Sequence, residues 1–489
     1  MPPTDNNAIE RRAFLKLMGM ATLGITGRSG ATAQSRKQAR PNVLFIVVDD
    51  LRPQLGCYGR KETVSPHIDR LASQGTLFER AYCQVPVCGP SRVSVLTGIR
   101  TNASQWKCEN LKDRYVTLPA HFRKQGYHAI SNGKVFHHMH DRAEDWSEPP
   151  WRSAPIYHGP GDWAKYNANG LWQDSDSGGS THPQSGRGPY CEAAEVPDNA
   201  YQDGKVADRT IADLKRLKTM EKPFFLACGF WRPHLPFNAP KKYWDLYRRD
   251  EIETASNRFR PKDLPPPCGS SKEIDRYGRA GRRKQSEEFH REARHAYYAC
   301  VSYVDAQIGR VLDAIETLKL SENTIVVLWG DHGWHLGEHD FWGKHNTLNN
   351  ALQAPLIVRA PGHKPNHRAG ALVEFVDIYP TLCDLAGLRP PEHVQGTSLA
   401  PLLDNALSPW KNAVFGRWTG CQWVKTDRYL YTEWKKGQKT TRRMLFDHQS
   451  DPDENENVAN NPAYRDIAQS LSRRLRRQAM QPQEHPKPL

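Results

Sequence analysis

A chain of 489 residues exceeds what one minimal core requires, so a large α/β domain with a smaller companion is the expected organisation. Its formal net charge of +14 favours sulfated or carboxylated polyanions over neutral ligands, and no nucleic acid is expected among its partners. No segment stays apolar long enough to span a bilayer, and ten cysteines without compact spacing argue against a disulfide framework as the basis of the fold.

In chain order, the first feature is Glu10-Arg11-Arg12-Ala13-Phe14-Leu15-Lys16, followed by a short run of Leu, Met, Ala and Gly and then by Ala31-Thr32-Ala33-Gln34. That order is basic region, apolar region and small-residue cleavage site. The paired arginines resemble a twin-arginine export signal, which makes residues 1–33 a signal peptide and the export machinery a partner. Cleavage after Ala33 leaves the mature chain exported, periplasmic or extracellular, with no membrane anchor.

The run Asn42 to Val48 is short, continuous and β-branched, as expected of a strand covered on both faces. Similar runs occur at Pro223 to Phe230, Thr324 to Trp329 and Pro355 to Val358, with amphipathic helical stretches between them such as His295 to Leu318. This alternation predicts a central, mostly parallel sheet flanked by helices, in a domain covering residues 41–400. The segments Glu148 to Gln202 and Glu253 to Ser286 lack a period and read as surface loops. Beyond Pro401, Ala413 to Trp418, Gln422 to Lys425, Tyr429 to Trp434 and Met444 to Phe446 predict short antiparallel strands, and Pro462 to Gln478 a closing helix. Residues 401–489 thus form the smaller domain. Cys228, Cys300 and Cys383 lie in apolar segments and are expected to be buried free thiols. The basic runs Arg279 to Lys284 and Arg473 to Arg477 read as solvated faces.

Two predicted strands end in metal-type ligands: Val48 runs into Asp49-Asp50, and Gly330 into Asp331-His332. The carboxyl ends of parallel strands line one crevice, so the two pairs can converge there on a divalent cation. Adjacent aspartates also serve as turn formers and helix caps. A third element is Cys88-Gly89-Pro90-Ser91-Arg92, continued by Val93-Ser94-Val95-Leu96-Thr97-Gly98.

Cys88 to Gly98 resembles both halves of the signature of the sulfatase family, whose fold is alkaline phosphatase-like. The resemblance extends to the iduronate-2-sulfatase branch through Gly133-Lys134-Val135-Phe136-His137, Pro233-His234-Leu235-Pro236-Phe237, and Asp331-His332-Gly333-Trp334 with Lys344. The helix Ala299 to Arg310, the stretch Phe375 to Leu382 and Leu445-Phe446-Asp447 also match, so it runs from about Pro41 to the C-terminus.

The resemblance implies that a formylglycine-generating enzyme oxidises Cys88 to formylglycine, and that the hydrate attacks sulfur and later expels sulfate. It implies Asp49, Asp50, Cys88, Asp331 and His332 as metal ligands, with calcium as the ion; histidine is unusual for calcium, so magnesium and zinc stay open. Lys134 and Lys344 are expected on the sulfate, His137 on the hydrated aldehyde, Arg92 steadying it, and His234 protonating the leaving oxygen. The implied substrate is a sulfated polysaccharide or oligosaccharide, carrying 2-O-sulfate on a terminal uronic acid. Another sulfatase specificity, a phosphonate or phosphate monoester hydrolase on the same fold, and a catalytically silent glycan-binding protein are the alternatives. Cys83 and Cys108 are not part of the signature, and the loops from Glu148 to Gln202 match the branch poorly.

Overall fold

Alternate side chains of strand β1 (Asn42–Val48) enter two different cores, which explains why the whole strand is apolar. Leu44, Ile46 and Val48 join one core; Val43, Phe45 and Val47 join the other. Its neighbours β4 (Phe224–Phe230) and β5 (Thr324–Gly330) divide in the same way and pair with β1 in parallel. The computed structural model describes residues 40–102, 105–106, 111, 115–137, 141–153, 188–269, 271–279, 283–437 and 439–480. The signal-type segment 1–33, Cys108, His138, His140 and positions 154–187 of the long loop lie outside the described residues.

The sheet has seven strands in the order β7-β2-β6-β5-β1-β4-β3, where β2 is Thr76–Tyr82, β3 His128–Gly133, β6 Leu356–Arg359 and β7 His367–Glu374. Only β6 runs antiparallel, against β2 and β5. The predicted mostly parallel sheet is therefore present. Helices α1 (Pro66–Ser73), α4 (Gln202–Leu217) and α5 (Glu287–Thr317) cover one face. Helices α2 (Cys88–Thr97), α3 (Leu118–Lys124) and α6 (Ile378–Leu385) cover the other. A smaller antiparallel sheet follows, β8 (Val414–Trp418), β9 (Cys421–Lys425), β10 (Tyr429–Lys436) and β11 (Lys439–Asp447), backed by α7 (Arg465–Met480).

Some elements differ from their sequence outlines. Helix α5 starts at Glu287, well before His295, because the Ser286 side chain accepts the Phe289 N–H at 3.2 Å and Glu287 and Glu288 occupy the first turn. Strand β11 starts at Lys439, before Met444, because hydrogen bonds to β10 hold exposed residues that no apolar pattern marks. Every described cysteine is a free thiol, and Cys228, Cys300 and Cys383 are buried as expected.

Phe45 lies 5.7 Å from the Phe225 ring and 5.6 Å from that of Trp329, fully buried. Phe45→Ala is expected to cost about 4 kcal/mol, read as a lower midpoint in urea with unchanged slope.

Asp305 of α5 accepts the N–H groups of His67 (3.2 Å) and Ile68 (2.7 Å) and so caps α1 across a tertiary contact. Burial pushes its carboxyl up to about 7, against the lowering effect of those two bonds. The folded value lies above the unfolded one, so the stability tied to its proton is present below about pH 4 and is lost as pH rises through 7. Asp305→Asn is expected to flatten this part of the curve when urea midpoints are compared at about pH 5 and about pH 8.

Candidate active site

Val48 and Gly330 are register partners in β1 and β5, so Asp49-Asp50 and Asp331-His332 leave the sheet side by side. The turn is drawn tight: the Asp50 N–H donates to Asp331 Oδ1 at 3.0 Å, and Tyr297 Oη donates to the Asp50 carbonyl at 2.8 Å. Asp50 has a positive φ of 58°, a conformation that aspartate tolerates better than most residues.

Helix α2 brings the third element. It starts at Cys88 after an extended Val87, and every residue from Cys88 to Thr97 is buried. Cys88 Sγ lies 3.2 Å from His332 Nε2, 3.3 Å from Lys344 Nζ and 3.7 Å from Asp50 Oδ1. One turn on, on the same face, Arg92 Nε donates to Asp331 Oδ2 at 2.8 Å and Nη1 to the carbonyls of Lys134 and Val135. Its Nη2 faces Asp49 Oδ1 at 3.4 Å, an ion pair without hydrogen-bond alignment.

Ligand atoms of Asp49, Asp50, Cys88, Asp331 and His332, all from buried residues, lie within 4.8 Å of one another. Asp49 Oδ1, which Arg92 faces without alignment, and Asp50 Oδ2 are buried without a hydrogen-bond partner among the described residues, which leaves lone pairs on both carboxylates for a further cation. His332 Nδ1 is held by the Gly333 carbonyl at 2.9 Å, so this nitrogen donates and Nε2 faces the carboxylates. Three carboxylates and one imidazole nitrogen suit a divalent cation, and this donor set fits one.

Two lysines flank the cluster. Lys134 Nζ donates to Asp49 Oδ2 and lies 4.6 Å from the Trp231 ring centroid; Lys344 Nζ is 2.5 Å from Asp50 Oδ1 and 5.2 Å from the Trp334 centroid. Burial raises the Asp49 carboxyl, but Lys134, His234, Arg92 and Lys344 outweigh it and hold the group well below the usual range. Burial and the charge of Asp49 instead raise Asp331. Burial opposes the charge of Lys344, yet Asp50, Cys88 and Glu273 hold it well above the usual ammonium range. Burial, Asp49 and Asp331 push the Cys88 thiol well up, with Lys344 opposing.

His234 sits across the pocket, its Nδ1 donating to the Leu235 carbonyl at 2.5 Å, which leaves Nε2 toward the site. Nε2 meets Glu273 Oε1 at 3.2 Å, and Glu273 Oε2 is 3.4 Å from Lys344 Nζ. Glu273 comes from the aperiodic segment after Glu253, and no sequence signal marked it. Burial raises its carboxyl, but Lys344 and His234 bring it well below the usual range. His137 packs beside the helix start: a Cβ added to Gly89 would stand 3.7 Å from its Cβ and Cδ2. His335 and His339 pack around Phe341, and the Cys83 thiol is buried at 3.9 Å from the Ala351 carbonyl.

Comparison with known proteins agrees with this architecture. The family profile described as Sulfatase matches residues 41–388, and one described as N-sulphoglucosamine sulphohydrolase, C-terminal, matches residues 337–481. The chain is 35% identical over 443 residues to iduronate 2-sulfatase of Mus musculus, covering 80% of this chain and 76% of that protein. It is 31% identical over 486 residues to a sulfatase of Formosa agariphila, covering 95% and 91%. Among solved structures, the 2-O GAG sulfatase BT1596 superposes with a TM-score of 0.67 at 25% identity, covering 90% of this chain and 92% of that one. Phosphonate monoester hydrolase SpPMH from Silicibacter pomeroyi gives a TM-score of 0.70 at 25% identity, covering 90% and 95%. With the family profile spanning most of the chain and these relatives aligned along nearly all of it, the chain belongs to the sulfatase family and is an enzyme that hydrolyses sulfate esters.

Proposed function

We propose that this sulfatase removes O-sulfate from a sulfated glycan, that its substrate carries 2-O-sulfate on a terminal uronic acid, and that its nucleophile is the hydrate of formylglycine at position 88. The carrying observation is that Cys88 stands within one buried cluster with Asp49, Asp50, Asp331 and His332, flanked by Lys134 and Lys344. The identity to iduronate 2-sulfatase supports the sugar and the ester position, and the net charge of +14 suits a polyanionic glycan outside the cell.

Conversion of Cys88 to formylglycine supplies, after hydration, two hydroxyls on one carbon, one to attack sulfur and one whose deprotonation expels sulfate. A divalent cation held by Asp49, Asp50, Asp331, His332 and the side chain at position 88 supplies Lewis-acid polarisation and tips a nearly balanced cluster toward anions; calcium is the ion proposed, with magnesium and zinc as alternatives. Arg92 spans Asp49 and Asp331 and fixes both carboxylates relative to α2. Lys134 and Lys344 place positive charge where the ester gains negative charge as its bridging bond breaks. His137, which packs beside Gly89, is assigned to hold a hydroxyl at position 88. His234 presents Nε2 and delivers a proton to the departing sugar oxygen.

Glu273 touches both His234 and Lys344 and positions them. Glu273→Gln is expected to lower kcat about tenfold and to displace the acidic limb of the pH–rate profile, with less than about threefold change in KM. An unchanged profile would make its role purely structural.

The same reading assigns residues 1–33 to twin-arginine export, 41–400 to the catalytic domain and 401–489 to the smaller one. Among the described residues no helix is long and apolar enough to cross a membrane. Likeness to a phosphonate monoester hydrolase supports a second reading, hydrolysis of phosphonate or phosphate monoesters on the same site. The test combines peptide mass analysis around position 88, after co-expression with a formylglycine-generating enzyme, with turnover of sulfated unsaturated disaccharides, aryl sulfate and aryl phosphonate. Aldehyde at position 88 and preference for the 2-O-sulfated disaccharide are expected. Preference for the phosphonate would favour the second reading, and unmodified Cys88 with glycan affinity alone would indicate a silent binding protein.

A further inference from the structure

The small sheet carries a cavity of about 360 Å³ whose lining includes Trp106, Arg417, Trp418, Gln422, Glu433 and Lys435. Two of its walls are aromatic. The Trp106 and Trp418 rings stack at 5.5 Å with 7° between planes, and the His345 ring stacks on Trp418 at 5.1 Å and 11°.

The Trp106 and Trp418 stack is tied to the surroundings of position 88 from two sides, through His345, which stacks on Trp418, and through Trp106 itself. His345 follows Lys344, whose Nζ is 3.3 Å from Cys88 Sγ, and its N–H donates to the Pro86 carbonyl at 3.3 Å. On the other side, the Trp106 carbonyl would stand 3.3 Å from a Cβ on Gly89, the residue after Cys88. The aromatic stack in the cavity lining thus adjoins residues next to position 88, Gly89 through the Trp106 carbonyl and Lys344 through His345.

The charges on the lining are unequal in what they offer. Lys435 is already paired with Glu433 at 2.7 Å. Arg417 has no acidic partner among the described residues, although it is partly buried in the lining. A planar guanidinium left in this state suits a carboxylate or sulfate, which it can hold by two parallel hydrogen bonds. An aromatic platform beside it suits the C–H face of a pyranose, since ligand pockets pair apolar walls with a few orienting polar groups.

We propose that this cavity is a sugar subsite: it takes the residue next to the ester-bearing sugar, packing its C–H face on the Trp106 and Trp418 stack and its anionic group on Arg417. This rests on the glycan-sulfatase reading above and extends it, because it makes the enzyme a selector of acidic oligosaccharides over single sugars.

The test uses the full chain and measures kcat/KM for a sulfated uronate monosaccharide and for the corresponding sulfated disaccharide with a second acidic sugar. The readout is the ratio of the two values. Trp418→Ala and Arg417→Gln are each expected to lower the disaccharide-to-monosaccharide ratio about tenfold, and Trp418→Phe to retain most of it. Arg417→Gln leaves the ring stack in place, so a fall there separates anion recognition from disturbance of His345 and Lys344. Turnover of both substrates with a ratio unchanged by Trp418→Ala and Arg417→Gln would overturn the subsite alone. No turnover of any sulfated saccharide by the unsubstituted enzyme, with aryl sulfate still hydrolysed, would overturn the glycan reading and the subsite with it.

Discussion

Cys88→Ala is expected to lower kcat for any sulfate ester by on the order of 10⁴-fold or more, because a methyl side chain, having lost the thiol, cannot be converted to the aldehyde whose hydrate is the proposed nucleophile. The fold should survive. The residue is small, buried at the start of α2, and replaced by a residue that favours helix, so the thermal transition should stay close to that of the parent. Cys88→Ser is the sharper experiment: a single hydroxyl can take sulfuryl from the ester but has no second oxygen to expel it. One equivalent of sulfate should then remain on the peptide containing position 88, seen by mass analysis without continued turnover. Sustained turnover by either variant would refute a nucleophile at this position.

Removal of the proposed cation is the second large effect expected. With three aspartates crowded among Arg92, Lys134 and Lys344, the cluster gathers attraction for an anionic ester when a divalent ion is added to it. Chelation should abolish activity, and re-addition of calcium should restore it; restoration by magnesium or zinc alone would identify those ions instead. An ion that binds only the folded chain stabilises it by about 2.7 kcal/mol at a hundredfold excess over Kd, measurable as a shift of the denaturation midpoint. Asp331→Asn should remove most of that increment and lower kcat by on the order of 10²-fold or more, since Arg92 and His332 also lose the carboxylate that orients them. A variant whose stability still responds to the ion as the parent does would place the ion elsewhere.

The legible parts of the fold are those with strong local pattern. Strands β1, β4 and β5 lie between two helical layers, and burial on both faces leaves a run of apolar residues that no alternation interrupts. Strands β2, β3 and β7 left no such signature. The first carries Glu79 and Arg80, the second Ser131 and Asn132, and the last mixes His367 and Arg368 with small residues at the sheet edge. Their pairing comes from neighbours supplied by distant sequence, as when β6 bridges β2 and β5.

The site divides along the same line. Asp49-Asp50 and Asp331-His332 were marked by residue type at strand ends, and Cys88 to Gly98, Lys134, His234 and Lys344 by the resemblance of short contiguous motifs to the sulfatase family. Glu273, Trp106 and Trp418 belong to no motif; each matters through what it touches. The chain's order alone marked these candidate side chains, because that information is local. Only the tertiary structure decided that strand ends nearly three hundred residues apart meet within 4.8 Å, that a loop carboxylate stands between His234 and Lys344, and that Trp106 and Trp418 stack in the lining of a cavity at the small sheet. Such neighbours are created by packing, and packing depends on the whole chain at once.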